Sequence, residues 1–228
     1  MSIVLENIKK KYINSSDKVD VLNDISLSVN DGDIVTVFGH SGVGKSTLLG
    51  IISGVLYPDE GTVSINDTLL SPSNSASVRK KTISVLFQKD NLLPEFNIRD
   101  NLLLPLIIND TDYHTGINRV DEVLELLKME EFKYRYPYQI SRGEYQRISL
   151  LRCISNNPEV IIADEPTANL DENNCEQLLD LIVKLNRDLG ITFIIATHDS
   201  RFIDISKITY KLFNGDLIIN EWKLYKRC

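Results

Sequence analysis

Residues Gly39 to Ser46 read GHSGVGKS, a G-x-x-x-x-G-K-[ST] spacing suited to holding phosphate. Gly39, Gly42 and Gly44 let successive backbone N–H groups turn inward around an anion without Cβ clashes. A helix opening directly after the loop adds the positive end of its dipole. Lys45 has the reach to meet terminal phosphate oxygens, and the Ser46 hydroxyl can ligate Mg2+. His40, Ser41 and Val43 lend their backbone to the loop, and Thr47 carries it into the helix. A strand before the loop and a helix after it make a purely structural turn the weaker reading.

More polar groups stand at the ends of apolar runs. Thr82–Phe87 ends at Gln88, Val160–Ala163 at Asp164 and Glu165, and Thr192–Thr197 at His198. Ligands of an open parallel sheet bind outside the carboxyl ends of its strands, so these groups and the glycine loop reach one edge. Each alone is ordinary; in company they divide the work. Asp164 suits Mg2+, a hard cation that takes oxygen ligands and keeps part of its water. Glu165 suits a general base on the attacking water, and His198 orients water or phosphate. Gln88 is counted with both nucleotide and metal, whereas His114 draws no role. Ser141-Arg142-Gly143-Glu144 is a capping box, and a capped helix start with a glycine in its first turn is also an anion site. It falls in a helical region away from the strand ends, so its phosphate would come from elsewhere, and a second copy docked head to tail would supply one.

Holding such groups at one edge requires an α/β core. Ile3–Ile8, Val21–Val29, Asp33–Phe38 and Thr62–Ile65 are short, β-branched and separated by Asn, Asp and Gly turns, as strands are. Ser46–Ile52 reads as the helix after the loop. The later runs at 82–87, 160–163 and 192–197 are continuous rather than alternating, as in parallel strands covered on both faces. Arg119–Met129 places Val120, Val123, Leu124 and Leu127 at helical spacing, and Glu144–Ser155 repeats the pattern. The expected layout is one domain, with a core and N-terminal β portion from residues 1–88 and 155–228 and a helical portion at 89–154.

The 228-residue chain is 43% apolar with a net charge of −7, enough for one sizeable core and unlike a general nucleic-acid binder with its basic face. Cys153, Cys175 and Cys228 form no CxxC pair and are expected as reduced thiols of a cytosolic protein. The N-terminal MSIVLENIKKKY lacks the apolar core of a signal peptide. The longest mostly apolar stretch, Leu48 to Tyr57, is broken by Gly50, Ser53 and Gly54 and falls far short of the roughly 20 residues that span a bilayer. A soluble protein is expected, with Ser71–Ser77 as a surface loop and WKLYKRC at 222–228 as a frayed basic end.

On these residues the chain resembles ATP-binding-cassette nucleotide-binding domains, over essentially its whole length and with the motifs in order. GHSGVGKST is similar to Walker A, VIIADE to Walker B, Gln88 to the Q-loop glutamine, and ISRGEYQR to the signature segment usually written LSGGQ. Asn169-Leu170-Asp171 resembles the D-loop, His198 the switch histidine, and Tyr12, after a Lys-rich first strand, the aromatic that stacks on adenine. The resemblance implies a RecA-like P-loop core with an N-terminal antiparallel β subdomain and a helical signature subdomain. It implies ATP and Mg2+ as ligands. It also implies a head-to-tail homodimer, with ATP between Walker A of one copy and Ser141, Gly143 and Glu144 of the other, near Asp171. ATP closes such a dimer, hydrolysis by Glu165 reopens it, and the Gln88 segment and helical portion pass the motion to integral-membrane permease subunits. Arg142 departs from the usual glycine and Ile140 from leucine, while Ser141 and Gly143 remain.

Within the family, ADEPTANLD and QKDNLLPEFNIRDNLLLPLII resemble the group serving lipoprotein release, macrolide and peptide export, and cell-division signalling. LLPEF favours lipoprotein release, while GHSGVGKSTLL and ATHDSRFI resemble the cell-division ATPases. The implied place is the cytoplasmic face of the bacterial inner membrane, peripheral, with no span of its own and no nucleic acid bound. A soluble relative acting on nucleic acid or ribosomes is disfavoured, since those usually carry two cassettes or a long coiled coil between the Walker motifs. A module that only binds nucleotide is disfavoured by the intact Glu165 and His198.

Overall fold

A computed structural model describes residues 2–13, 18–89 and 91–219; Cys228 and the WKLYKRC segment lie outside the described residues. Two sheets organise the chain. The first joins β1 (Ser2–Ile13), β2 (Lys18–Asn30), β4 (Glu60–Ile65) and β5 (Thr68–Leu69) in the antiparallel order β2-β1-β4-β5. Ile3 lies opposite Val29 and Ile65, and Leu5 opposite Leu27 and Val63, so alternate positions put one apolar face inward.

The second sheet has the order β10-β9-β3-β8-β7-β6, from β3 (Ile34–Phe38), β6 (Ile83–Leu86), β7 (Val160–Asp164), β8 (Thr192–Thr197), β9 (Ile208–Phe213) and β10 (Asp216–Ile219). All its pairings are parallel except β9 with β10. Both faces are covered. Ile161, Ala163, Phe193 and Ile195 point to one apolar cluster, and the alternating Val160, Ile162, Ile194 and Ala196 point to the other. This two-sided burial is why β7 and β8 read as unbroken apolar runs.

Helix α1 (Lys45–Ile52) is wedged between the two sheets, its Leu48, Leu49, Ile51 and Ile52 packed with Ile3 and Leu5 on one side and Val35 and Val37 on the other. The opposite face carries α3 (Ile98–Ile108), α4 (Tyr113–Leu126), α5 (Arg142–Ser155) and α6 (Glu172–Leu189) in one cluster with Leu86, Phe193 and Phe202. α2 (Ser75–Thr82) and the short α7 (Phe202–Ile205) complete the described helices.

The α/β architecture agrees with the expectation, and several local readings need correction. Ser71–Ser77 is not all loop: α2 begins at Ser75, which is buried with its hydroxyl 2.7 Å from Tyr57 Oη. Its SASVRKKT sequence has no apolar period to reveal it. Tyr12 lies inside β1, opposite Val19, rather than after the strand. α4 starts at Tyr113 and stops at Leu126; Lys128 takes a left-handed φ of 55°, and Met129 leads into a 3-10 turn at Glu130–Phe132. α3 lies in the expected helical portion, and its own bounds are masked in the sequence by Pro105, which cannot donate within a helix. It is fixed from its start: Asn97 Oδ1 accepts from Asp100 N at 2.9 Å. Buried Asn101 accepts from Leu93 N at 2.7 Å and donates to Leu93 O and Phe96 O. These bonds shape the LLPEF turn.

Candidate active site

Where β3 ends, the chain turns through the glycine loop into α1. Gly42 and Gly44 adopt φ of 80° and 109°, which side chains with a Cβ resist. A Cβ on Gly39 would lie 2.6 Å from Val43 Cγ1 and 2.9 Å from Leu212 O, so this position needs its space rather than its φ. Glycine enters this region without a Cβ clash, and what it gives up is the backbone entropy of being ordered. Full burial of each apolar side chain of α1 contributes about 1.5–3 kcal/mol, so the helix anchors the loop with ease.

Lys45 is 6% exposed; its Nζ donates to Gly39 O at 2.7 Å and His40 O at 3.1 Å, and lies 3.1 Å from Glu165 Oε1. Ser46 Oγ donates to Asp164 Oδ2 at 2.6 Å, bringing a hydroxyl from α1 against the last residue of β7. Glu165 sits one residue beyond that strand at φ 46°, a conformation costing about 1–3 kcal/mol for a residue with a side chain. Its N–H donates to Ala196 O at 2.8 Å, and its Oε2 accepts from Thr197 Oγ1 at 3.1 Å and His198 Nδ1 at 2.9 Å. Burial pushes the Glu165 carboxyl up, and the hydrogen bonds from His198 and Lys45 outweigh it, leaving its pKa below the ordinary glutamate range.

The groups thus enclose one open cavity of about 330 Å3, lined by Ser41, Gly42, Gly44, Lys45, Ser46, Thr47, Gln88, Asp164, Glu165 and His198. The side chain of His40 is exposed outside it and only its carbonyl takes part, through Lys45. Val43 packs under the loop against Gly39. Tyr12 is 40% exposed on β1, beside Lys10, and does not line the cavity. Two contributors were not foreseen. Val21 of β2 lines the cavity and packs against Gly44, and Thr197 anchors Glu165. A valine and a threonine in strands carry no sequence signal beyond their β-propensity.

Ser141, Gly143, Glu144 and Asp171 gather elsewhere. Ser141 caps α5, accepting from Glu144 N at 3.4 Å, while Glu144 Oε2 accepts from Ser141 N at 2.7 Å. These bonds from Ser141, opposed by burial, hold the Glu144 carboxyl below its usual range. Asp171 caps α6 by accepting from Asn174 N at 2.9 Å. None of these residues lines the cavity around Lys45.

The cavity's donor set fits a nucleotide phosphate with Mg2+. The loop offers backbone N–H groups that a Cβ would obstruct, and the Ser46 and Asp164 oxygens converge as hard ligands. Among the described residues no group of three or more His, Cys, Asp or Glu gathers as a metal cage.

A profile of the ABC transporter family matches residues 22–168. The lipoprotein-releasing system ATP-binding protein LolD of Buchnera aphidicola subsp. Schizaphis graminum is 35% identical over 96% of this chain and 98% of its own. Methionine import ATP-binding protein MetN 2 of Enterococcus faecalis is 36% identical over 88% of this chain, which spans 59% of that relative. Among solved structures, the ATP-binding cassette MJ0796, dimeric in a post-hydrolysis state bound to ADP and Pi, matches at a TM-score of 0.85. It is 32% identical, with 94% of this chain and 96% of that one covered.

Proposed function

Because this chain belongs to the ABC transporter family as an ATPase, we propose that it powers a membrane complex as a head-to-tail pair of copies seated on permease subunits, with lipoprotein release as the work done. The observation that carries the reading is the single cavity in which the glycine loop, Gln88, Asp164, Glu165 and His198 meet.

Each group has a task there. The loop N–H groups and the α1 dipole receive the phosphates, and Lys45 turns its charge to the terminal ones. Ser46, Asp164 and Gln88 would hold Mg2+, which when bound offsets the charge on the phosphate oxygens. Glu165 takes a proton from the attacking water, and His198, bonded through Nδ1, holds that carboxylate in place. Lys45 and His198 lower the basicity of Glu165, so a lysine that turns towards phosphate releases the carboxylate to act as a base. Tyr12 stacks on the base. The cavity has room for phosphates and is open; Ser141, Gly143, Glu144 and Asp171 of a second copy would complete it.

The permease has a seat in a second cavity, of about 530 Å3, beside the strand end that leads to Gln88. Phe87 and Ile108 on its rim are more than half exposed, and Arg152 in its wall keeps a buried Nε with no hydrogen-bond partner among the described residues. Arg152 also donates to Asn91 O, and Tyr145 Oη accepts from Leu92 N, which ties the 87–92 segment to α5. A push on this groove therefore reaches both Gln88 and α5. Among the described residues no helix is long and apolar enough to cross a membrane. In the proposed complex the permease supplies the span and this chain sits at the inner face. Lipoprotein release is favoured by relatives matched along nearly their whole length and by the LLPEF turn. Export, cell-division and methionine-import machines share the same ATPase chemistry. Steady-state hydrolysis compared with Lys45→Ala tests the enzyme, and activity no higher than that variant's would refute it. The protein copurifying from membranes tests the process, and a permease for a soluble solute would redirect it.

A further inference from the structure

α5 and α6 begin side by side, and one side chain stands between their first turns. Asn174 Oδ1 and Cγ occupy the place where a Cβ on Gly143 would go, so any side chain at 143 would overlap Asn174. The same Oδ1 accepts from Arg147 Nη1 at 3.1 Å. Asn174 Nδ2 donates to Asp171 Oδ2 at 2.6 Å, and its backbone N–H donates to Asp171 Oδ1 at 2.9 Å. Asn174 therefore touches the first turn of α5, the turn after it, and the residue that caps α6.

This contact explains the glycine. Gly143 does not have a positive φ, and a glycine inside a helix costs about 0.5–1 kcal/mol relative to alanine. What it gains is close approach to Asn174. Arg142, one residue earlier, is exposed and meets no such neighbour, so a long side chain is accommodated there. From Asp171 the chain runs back to Glu165 through tight turns, with Leu170 N donating to Thr167 O at 3.2 Å and Ala168 N to Glu165 O at 3.0 Å.

We propose that Asn174 is a positioning residue that locks the Ser141–Gly143 turn to the Glu165–Asp171 segment, so that the two move as one body. The inference rests on the function proposed above, in which Ser141 and Gly143 meet the phosphates of ATP bound to the other copy. Engagement there is carried through Asn174 to the segment bearing the chain's own Glu165. Asn174 itself touches no nucleotide.

The test compares ATP hydrolysis and melting temperature for the full chain and for Gly143→Ala, Asn174→Ala and the double variant. Gly143→Ala displaces the turn, and kcat should fall about a hundredfold, the cost of misplacing a reacting group by an ångström. Asn174→Ala loses the side-chain bonds to Asp171 and Arg147, keeps the backbone N–H bond to Asp171 Oδ1, and leaves the glycine loop alone. Its kcat should fall about tenfold while KM stays within about twofold. The double variant has room for the new Cβ and should recover to the Asn174→Ala level, about tenfold above Gly143→Ala. A double variant no faster than Gly143→Ala, or an Asn174→Ala enzyme with wild-type kcat, would overturn the proposal. Should Gly143→Ala fail to fold, as melting will reveal, the kcat of Asn174→Ala decides alone. Failure of the functional reading looks different: the wild-type chain would then show no hydrolysis above Lys45→Ala.

Discussion

Replacing Glu165 with Gln should weaken the fold and tighten ADP binding at the same time. The change keeps the side-chain shape and an acceptor for Thr197 and His198, but removes the negative charge 3.1 Å from Lys45 Nζ. Breaking a fully buried pair costs about 3–5 kcal/mol. Here Lys45 keeps Gly39 O and His40 O as acceptors, and the pair faces an open cavity, so a loss of about 1–2 kcal/mol is expected. The same deletion removes a like charge from beside the phosphates and leaves Lys45 free to turn to them. Two charges a few ångströms apart in a partly solvated site interact by about 1–4 kcal/mol, so a gain of about 1.4 kcal/mol, tenfold in Kd, is a conservative expectation. ADP is the informative ligand because lost hydrolysis cannot inflate its apparent affinity. Calorimetric titration and thermal melts with and without ADP read both effects. The variant should melt lower alone and gain more from saturating ADP than wild type does. Unchanged or weaker ADP binding would refute the idea that Glu165 and the phosphates compete for Lys45.

Glu165 and Asp199 both have depressed pKa values: burial raises each, and His198 and Lys45 in one case, Arg201 in the other, outweigh it. On acidification the unfolded chain takes up protons first, so their stabilisation is whole above the ordinary carboxylate range and is lost as pH falls through the lowered folded values. Urea midpoints should therefore drop on the acid side, less steeply in Glu165→Gln; equal slopes would contradict this. Burial pushes the Cys153 thiol up to about 12 and raises that of Cys175, so alkylation mapped by peptide at pH 8 should label neither until the protein unfolds. Rapid native labelling of Cys153 would show the α5 packing to be wrong. Ile108→Asp, on the rim of the larger cavity, should leave ATP hydrolysis by the isolated chain within about twofold while abolishing copurification with the permease. Retained copurification would move the docking site elsewhere.

The residues of the candidate site are more legible in the sequence than the elements around them, for physical reasons. Phosphate and metal chemistry admits few residue types, so Lys45, Ser46, Asp164 and Glu165 announce themselves at strand ends. Strands buried on both faces read as continuous apolar runs, and the run Thr192–Thr197 is the whole of β8. α3 was hidden by Pro105, whereas α6 was open to view. Leu178, Leu181, Ile182 and Leu185 keep helical spacing between the Asp171 cap and Gly190 at φ 69°, which marks both ends of the helix in the sequence. What Asn174 does was invisible, because the contact with Gly143 joins residues 31 positions apart on different helices. Such a constraint exists only once the chain has folded.

The claim most exposed to test is that the glycine loop makes half of a site and that Ser141 and Gly143 of another copy make the rest. Light scattering on Glu165→Gln, which should bind ATP without turning it over, reads this directly. ATP with Mg2+ should convert the protein from monomer to dimer and ADP should not, and adding Ser141→Arg should keep it monomeric with ATP. A protein that stays monomeric with ATP, or that dimerises equally well with Ser141→Arg, would contradict the shared site.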